Sequence, residues 1–117
     1  MEKKVFVSFL KPPIGTSFHL EGIRVALGIL SGDADHELTV AYVGRGVRCA
    51  LPGVDTSYTK GMLDSLKKEI SGGRFYVEKE SLEAEGISEK DVGESFSVVP
   101  RRRIHELMSV ADVTLSF

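Results

Sequence analysis

The chain is predicted to be an α/β protein built on a mostly parallel sheet, and three observations lead there. Short runs of β-branched and aromatic residues recur along it, most of them closed by Pro or Gly. Between those runs lie segments whose apolar residues fall at helical spacing. Strand then helix, repeated to the end of the chain, is the pattern of a parallel sheet, because parallel neighbours need a crossover that packs back onto the sheet.

Val5 to Leu10 is the first strand, and its unbroken apolar character fits a strand covered on both faces. Lys11-Pro12-Pro13 ends it, since proline has no N–H for the ladder. Thr16 or Ser17 is a natural N-cap for a helix running to about Leu30, with Leu20, Ile23, Leu27 and Leu30 as its buried stripe. Ser31 to Asp35 supplies turn chemistry, Leu38 to Val43 a second strand, and Val47 to Leu51 one helical turn before Pro52-Gly53. Tyr58 to Ile70 places Met62, Leu63, Leu66 and Ile70 on one helical face, ended by Ser71-Gly72-Gly73. Phe75 to Val77 is a third strand, Ser81 to Glu85 a turn or two of helix with Gly86 as C-cap, and Ser88 to Asp91 another turn. Phe96 to Val99 is the fourth strand, Arg101 to Met108 the last helix and Val113 to Phe117 the closing strand. Nothing in this pattern orders the strands within the sheet.

With 117 residues, 42% hydrophobic and 27% charged, the chain suits one soluble domain. A net charge of -2 argues against a protein that coats a polyanion. The lone cysteine, Cys49, excludes an internal disulfide and a Cys-rich zinc site, and suits a reducing, cytoplasmic setting. Val5 to Leu10 is too short for a signal sequence or a membrane span.

Ligands of open α/β sheets sit beyond the carboxyl ends of the strands. Lys11 to Ser17, Gly44 to Pro52 and Glu78 to Ser81 are expected to gather there. Gly15, Thr16 and Ser17 can hold a small anion at a helix start, although plain capping uses the same residues. Neither the lysine-bearing phosphate loop nor the Gly-x-Gly-x-x-Gly fingerprint is present, so no nucleotide cofactor is indicated. Arg48 beside Cys49 favours a thiolate nucleophile, while Val47, Ala50 and Leu51 favour a small buried hydrophobe. His19, His36 and His105 have no metal-ligand spacing and read as surface histidines, so no metal is expected. Arg101-Arg102-Arg103 opposes the dipole at a helix start, which hints at a use on phosphate or on an acidic partner. Glu78 to Glu94 is strongly acidic, with Glu78 a general-base candidate if it faces a cleft.

Ordered matches along the whole chain then resemble the DsrE/DsrF superfamily, most closely its TusC/DsrF branch. They are Gly15-Thr16 and Glu21-Gly22, Gly46-Val47 with Leu51-Pro52-Gly53, Tyr76-Val77 with Ser81-Leu82 and Gly86-Ile87, and the terminal Ala111-Asp112-Val113 to Phe117. The resemblance implies a single three-layer α/β domain with a mostly parallel five-stranded sheet flanked by helices. It also implies association, either with sister DsrE-like subunits or with itself, in a cytoplasmic complex that relays persulfide sulfur. One branch of that relay leads toward 2-thiouridine in tRNA, an indirect link to RNA; another serves sulfur oxidation. In the sulfur-carrying sister a cysteine follows the third strand, and the position matching it here, counted back from Gly86, is Glu78. A carboxylate carries no persulfide, so the resemblance implies a non-catalytic companion subunit. The alternatives are a sulfurtransferase or thiol-redox protein using Cys49, and a homo-oligomeric protein binding a small anion at Gly15, Thr16 and Ser17.

Overall fold

Side chains alternate along a strand, so the unbroken apolar first strand, β1 (Lys4–Phe9), must be covered on both sides. Val5, Val7 and Phe9 point into one apolar cluster and Phe6 into another. The computed structural model describes residues 2–13, 17–32, 36–52, 60–69 and 75–117. After β1 come α1 (Phe18–Leu30), β2 (Glu37–Tyr42), a 3₁₀ stretch (Gly44–Ala50), α2 (Lys60–Glu69) and β3 (Phe75–Glu78). Then follow α3 (Lys79–Ala84), a 3₁₀ turn (Glu89–Asp91), β4 (Phe96–Val99), α4 (Arg101–Ser109) and β5 (Val113–Ser116).

The strands form one five-stranded sheet in the order β4-β3-β2-β1-β5, and every neighbouring pair is parallel. Parallel crossovers are right-handed, so the direction of travel across the sheet decides which face a helix covers. From β1 to β4 the chain steps one way; Ile23 and Ala26 of α1, Leu66 of α2 and Leu82 of α3 accordingly share one cluster with Val40, Tyr42, Phe75 and Val77. From β4 to β5 it returns past β1, and α4 lies on the opposite face, where Ile104 joins Phe6 and Ala41.

The buried stripe of α1 differs from the leucine stripe expected. His19, Gly22, Ile23 and Ala26 are buried, while Leu20, Leu27 and Leu30 are half-buried. The reason is close approach: a Cβ on Gly22 would lie 2.3 Å from the Phe9 ring. The helix therefore turns its small residues to the sheet and leaves the leucines at the flanks. The turn expected over Val47 to Leu51 is instead a seven-residue 3₁₀ stretch. Two glycines permit it. Gly44 has φ +55, and a Cβ on Gly46 would lie 2.0 Å from the Phe9 carbonyl oxygen.

Of the stripe expected on α2, Leu66 is buried. The side chains of Met62 and Leu63 lie outside the described residues, as do Asp33 to Asp35, Gly53, Tyr58, Ile70 and Ser71 to Gly73. Among the described residues no helix is long and apolar enough to cross a membrane.

Two glycine substitutions of opposite sign test this packing. Gly46→Ala forces a methyl group into the backbone of β1 and is expected to destabilise by about 3 kcal/mol or more. Gly28→Ala, inside α1 with nothing within 4 Å of the new Cβ, is expected to stabilise by about 0.5–1 kcal/mol. Urea unfolding midpoints at constant m-value check both.

Candidate functional site

Crossovers that leave neighbouring strands on opposite faces open a crevice at their carboxyl ends. Here that place lies between β3 and β4, because β3 feeds α3 on one face and β4 feeds α4 on the other. Glu78 closes β3, in register with Val99 of β4. Its side chain is buried, and one carboxylate oxygen, Oε1, accepts two hydrogen bonds. Ser81 Oγ donates to it at 2.5 Å and Arg101 Nη2 at 3.1 Å. The Ser81 hydroxyl in turn accepts the Gly44 N–H at 2.8 Å. An N–H, a hydroxyl and a carboxylate thus form one polarised chain with a guanidinium at its end, each bond strengthening the next. Glu78 is a buried carboxylate whose Oε1 is held by Ser81 and Arg101.

The charge pattern of α4 resolves at the same place. Glu80 Oε1 accepts the Arg101 backbone N–H at 2.9 Å, so a carboxylate meets the positive end of the helix that Arg101 to Arg103 would otherwise oppose. That N–H bond, with the Glu80 backbone N–H and the Arg101 and Lys79 charges behind it, holds the Glu80 carboxyl below the usual carboxylate range. The Glu78 carboxylate raises the Arg101 guanidinium above its ordinary value, so it stays charged. Arg102 and Arg103 lie 3.8 and 3.4 Å from Glu106, one turn further on.

Cys49 belongs to the interior. It is 4% exposed, Sγ lies 3.7 Å from the Lys11 carbonyl oxygen, and burial pushes the thiol up to about 12. Arg48, the neighbour expected to favour a thiolate, instead donates to Glu85 at 2.8 Å. Burial raises the Tyr42 phenol well above its ordinary value, and the nearby Cys49 adds to it. The Tyr42 hydroxyl lies 3.1 Å from His19 Nε2. His19 is therefore a buried residue and not the surface histidine expected: it stands edge-on to Phe9 and Tyr42, and burial lowers it to about 4. His36 Nδ1 accepts the Lys3 N–H, and His105 is exposed. Among the described residues no cluster of His, Cys, Asp and Glu could hold a metal ion.

Of the anion-site candidates, Gly15 and Thr16 lie outside the described residues. Ser17 is the α1 N-cap residue, but its hydroxyl donates to Glu21 Oε1 at 3.3 Å rather than to a backbone N–H. The three segments expected at the carboxyl edge do meet, through Lys11 with Cys49 and Gly44 with Ser81. Sequence reasoning missed the joining of Glu78 to Arg101, 23 residues apart. Its signal was positional: both residues sit where parallel strands end. It also missed the burial of His19, which the spacing His19, Gly22, Ile23, Ala26 marks once a small-residue face is considered.

The family model for DsrE/DsrF-like proteins matches residues 3–117. The chain belongs to the DsrE/DsrF-like family. Among solved structures this DsrE/DsrF-like chain is similar to the ychN protein from E. coli, at TM-score 0.79 and 19% identity with 100% of both chains covered. It is also similar to MTH1491 of Methanobacterium thermoautotrophicum, described as a protein of unknown function, at TM-score 0.76 and 16% identity, covering 97% of this chain and 99% of that one. Both likenesses extend the same fold over the full length. No curated protein matches the sequence.

Two outcomes follow from these buried groups. Because the folded chain refuses a proton that the unfolded chain accepts, His19 contributes no penalty above pH 6.5 and destabilises progressively as the pH falls toward 4. That loss amounts to about 3 kcal/mol, read from urea midpoints along the pH series, and His19→Gln should flatten it. Separately, Glu78→Ala strips the acceptor from Ser81 and Arg101 and is expected to cost about 1–3 kcal/mol, discounted because Arg101 is half in water. Hydrogen exchange should show the first turn of α4 loosened in that variant and less so in Glu78→Gln.

Proposed function

We propose that this DsrE/DsrF-like chain is a non-catalytic subunit of the TusC/DsrF kind, which docks sister DsrE-like subunits in a cytoplasmic sulfur-relay complex without carrying persulfide itself. The observation that supports it is the Glu78 network. At the position where the resemblance puts the sulfur-carrying cysteine stands a buried carboxylate held by Ser81 and Arg101. Persulfide exchange needs a thiolate that is formed and reachable, and the chain's one thiol, Cys49, is buried and pushed up to about 12. A link to tRNA 2-thiolation or to sulfur oxidation then runs through the partner that does carry sulfur.

The test is co-expression with neighbouring DsrE-like genes followed by native mass spectrometry. The expected result is a defined complex containing this chain; absence of any sister-subunit complex overturns the reading. In parallel, the purified chain incubated with a persulfide donor is expected to gain no sulfur, an addition of about 32 Da by thiol chemistry. An adduct lost in Cys49→Ser makes the chain a sulfurtransferase instead.

A further inference from the structure

A crossover helix that leaves a parallel strand at its carboxyl end must come back to the amino end before the next strand begins. Helix α1 makes that return between β1 and β2, away from edge strand β5. Its last turn therefore lies beside β5 without covering it, and a hollow of about 360 Å³ opens between them. Val5 of β1, Val113 and Leu115 of β5 and Ile29 of α1 wall it. Glycines keep it open. Gly28, inside α1, and Gly32, just past its end, both line the hollow, and a Cβ on Gly28 would meet nothing within 4 Å.

The mouth is polar and of one sign. Lys3 and His36 complete the lining, so the only formal charge there is positive. Among the described residues the Lys3 side chain makes no ion pair or hydrogen bond. His36 Nδ1 accepts the Lys3 backbone N–H at 3.0 Å, which places the hydrogen of the neutral ring on Nε2 and leaves a donor there. Glu2, Glu37 and Asp112 gather around a separate hollow with Lys3 and Lys4, and none of them lines this one. Asp112 Oδ2 accepts the Lys4 backbone N–H at 2.8 Å. The carboxyl end of α1, which repels an anion, is partly capped: Ser31 gives its N–H and its hydroxyl to the Leu27 carbonyl, at 2.9 and 2.8 Å.

We propose that this hollow binds a small apolar carboxylate, an aryl or medium-chain aliphatic acid. The carboxylate lies on the Lys3 ammonium and the His36 Nε2–H, and the hydrocarbon lies between α1 and β5. Apolar walls with a few convergent polar groups, around roughly 300–1,000 Å³, are the usual form of a small-molecule site. This hollow stands at the small end of that range. Burial of the hydrocarbon supplies affinity, and charge-assisted hydrogen bonds choose the acid over an alcohol or an amine. The site is at the amino edge of the sheet, where β1 and β5 begin, whereas Glu78 closes β3 at the carboxyl edge. It does not depend on the sulfur-relay reading.

Isothermal titration of the purified chain with octanoate, octanol and octylamine tests it, with methyl NMR to locate the binding. Octanoate should bind at least about fivefold more tightly than octanol, with octylamine the weakest. From hexanoate to octanoate the affinity should rise about fourfold per methylene. Lys3→Gln should bring octanoate down to the level of octanol and leave octanol unchanged. Gly28→Leu fills the hollow from a position with room for it and raises helix propensity. It should abolish binding of both while keeping native circular dichroism and an undiminished Tm. The methyl signals that shift should be those of Val5, Ile29, Val113 and Leu115. Octanol or octylamine binding as tightly as octanoate, or a flat chain-length series, overturns the inference. So does octanoate binding indifferent to Lys3→Gln or Gly28→Leu, or shifts centred elsewhere. The absence of saturable octanoate binding with a Kd below about 1 mM overturns it as well.

Discussion

Right-handedness of the parallel crossovers decides more of this molecule than any single contact. Because the chain steps in one direction from β1 to β4 and then returns to pair β5 with β1, α4 is forced onto the face opposite α1, α2 and α3. That reversal brings the start of α4 against the end of β3, so Arg101 reaches Glu78 and the Arg101 N–H reaches Glu80. Among the described residues it also makes α4 the one helix that packs on the second face. The Glu78 network and the placement of α4 thus have one topological cause.

The buried polar groups share a physical logic. Glu78 is stable inside because a hydroxyl and a guanidinium replace the water it loses. His19, Tyr42 and Cys49 are kept neutral by the same low-dielectric surroundings. His19 and Tyr42 satisfy each other, and the weakly polar thiol packs among apolar neighbours. Each of these groups is thus matched to a protein partner or to apolar neighbours inside the fold. The companion role proposed above draws on that distribution.

Much of the architecture was legible because it depends on local pattern. Phe96 to Val99 as a strand follows from its aromatic and β-branched residues, and the helix from Arg101 begins where Pro100 stops that strand. Gly86 was readable as a C-cap, and it holds the φ of +70 that a terminating glycine supplies. The inward face of α1 was misread because hydrophobicity alone ranks Leu20 and Leu27 above Gly22 and Ala26. The proximity of Phe9 reverses that ranking, since a helix this close to a strand needs small residues at the contact. His19 was misread for the same reason.

The sequence by itself determined the alternation of strand and helix, the carboxyl-edge location of the segments ending at Ser17, Pro52 and Ser81, and the absence of a cysteine at Glu78. These rest on residue type and spacing, which act over a few positions. Only the tertiary structure decided the strand order, the burial of Cys49 and His19, and the joining of Glu78 to Arg101. Each of these depends on which distant segments lie side by side. That is set by crossover handedness and close packing of the whole chain, which no local pattern contains.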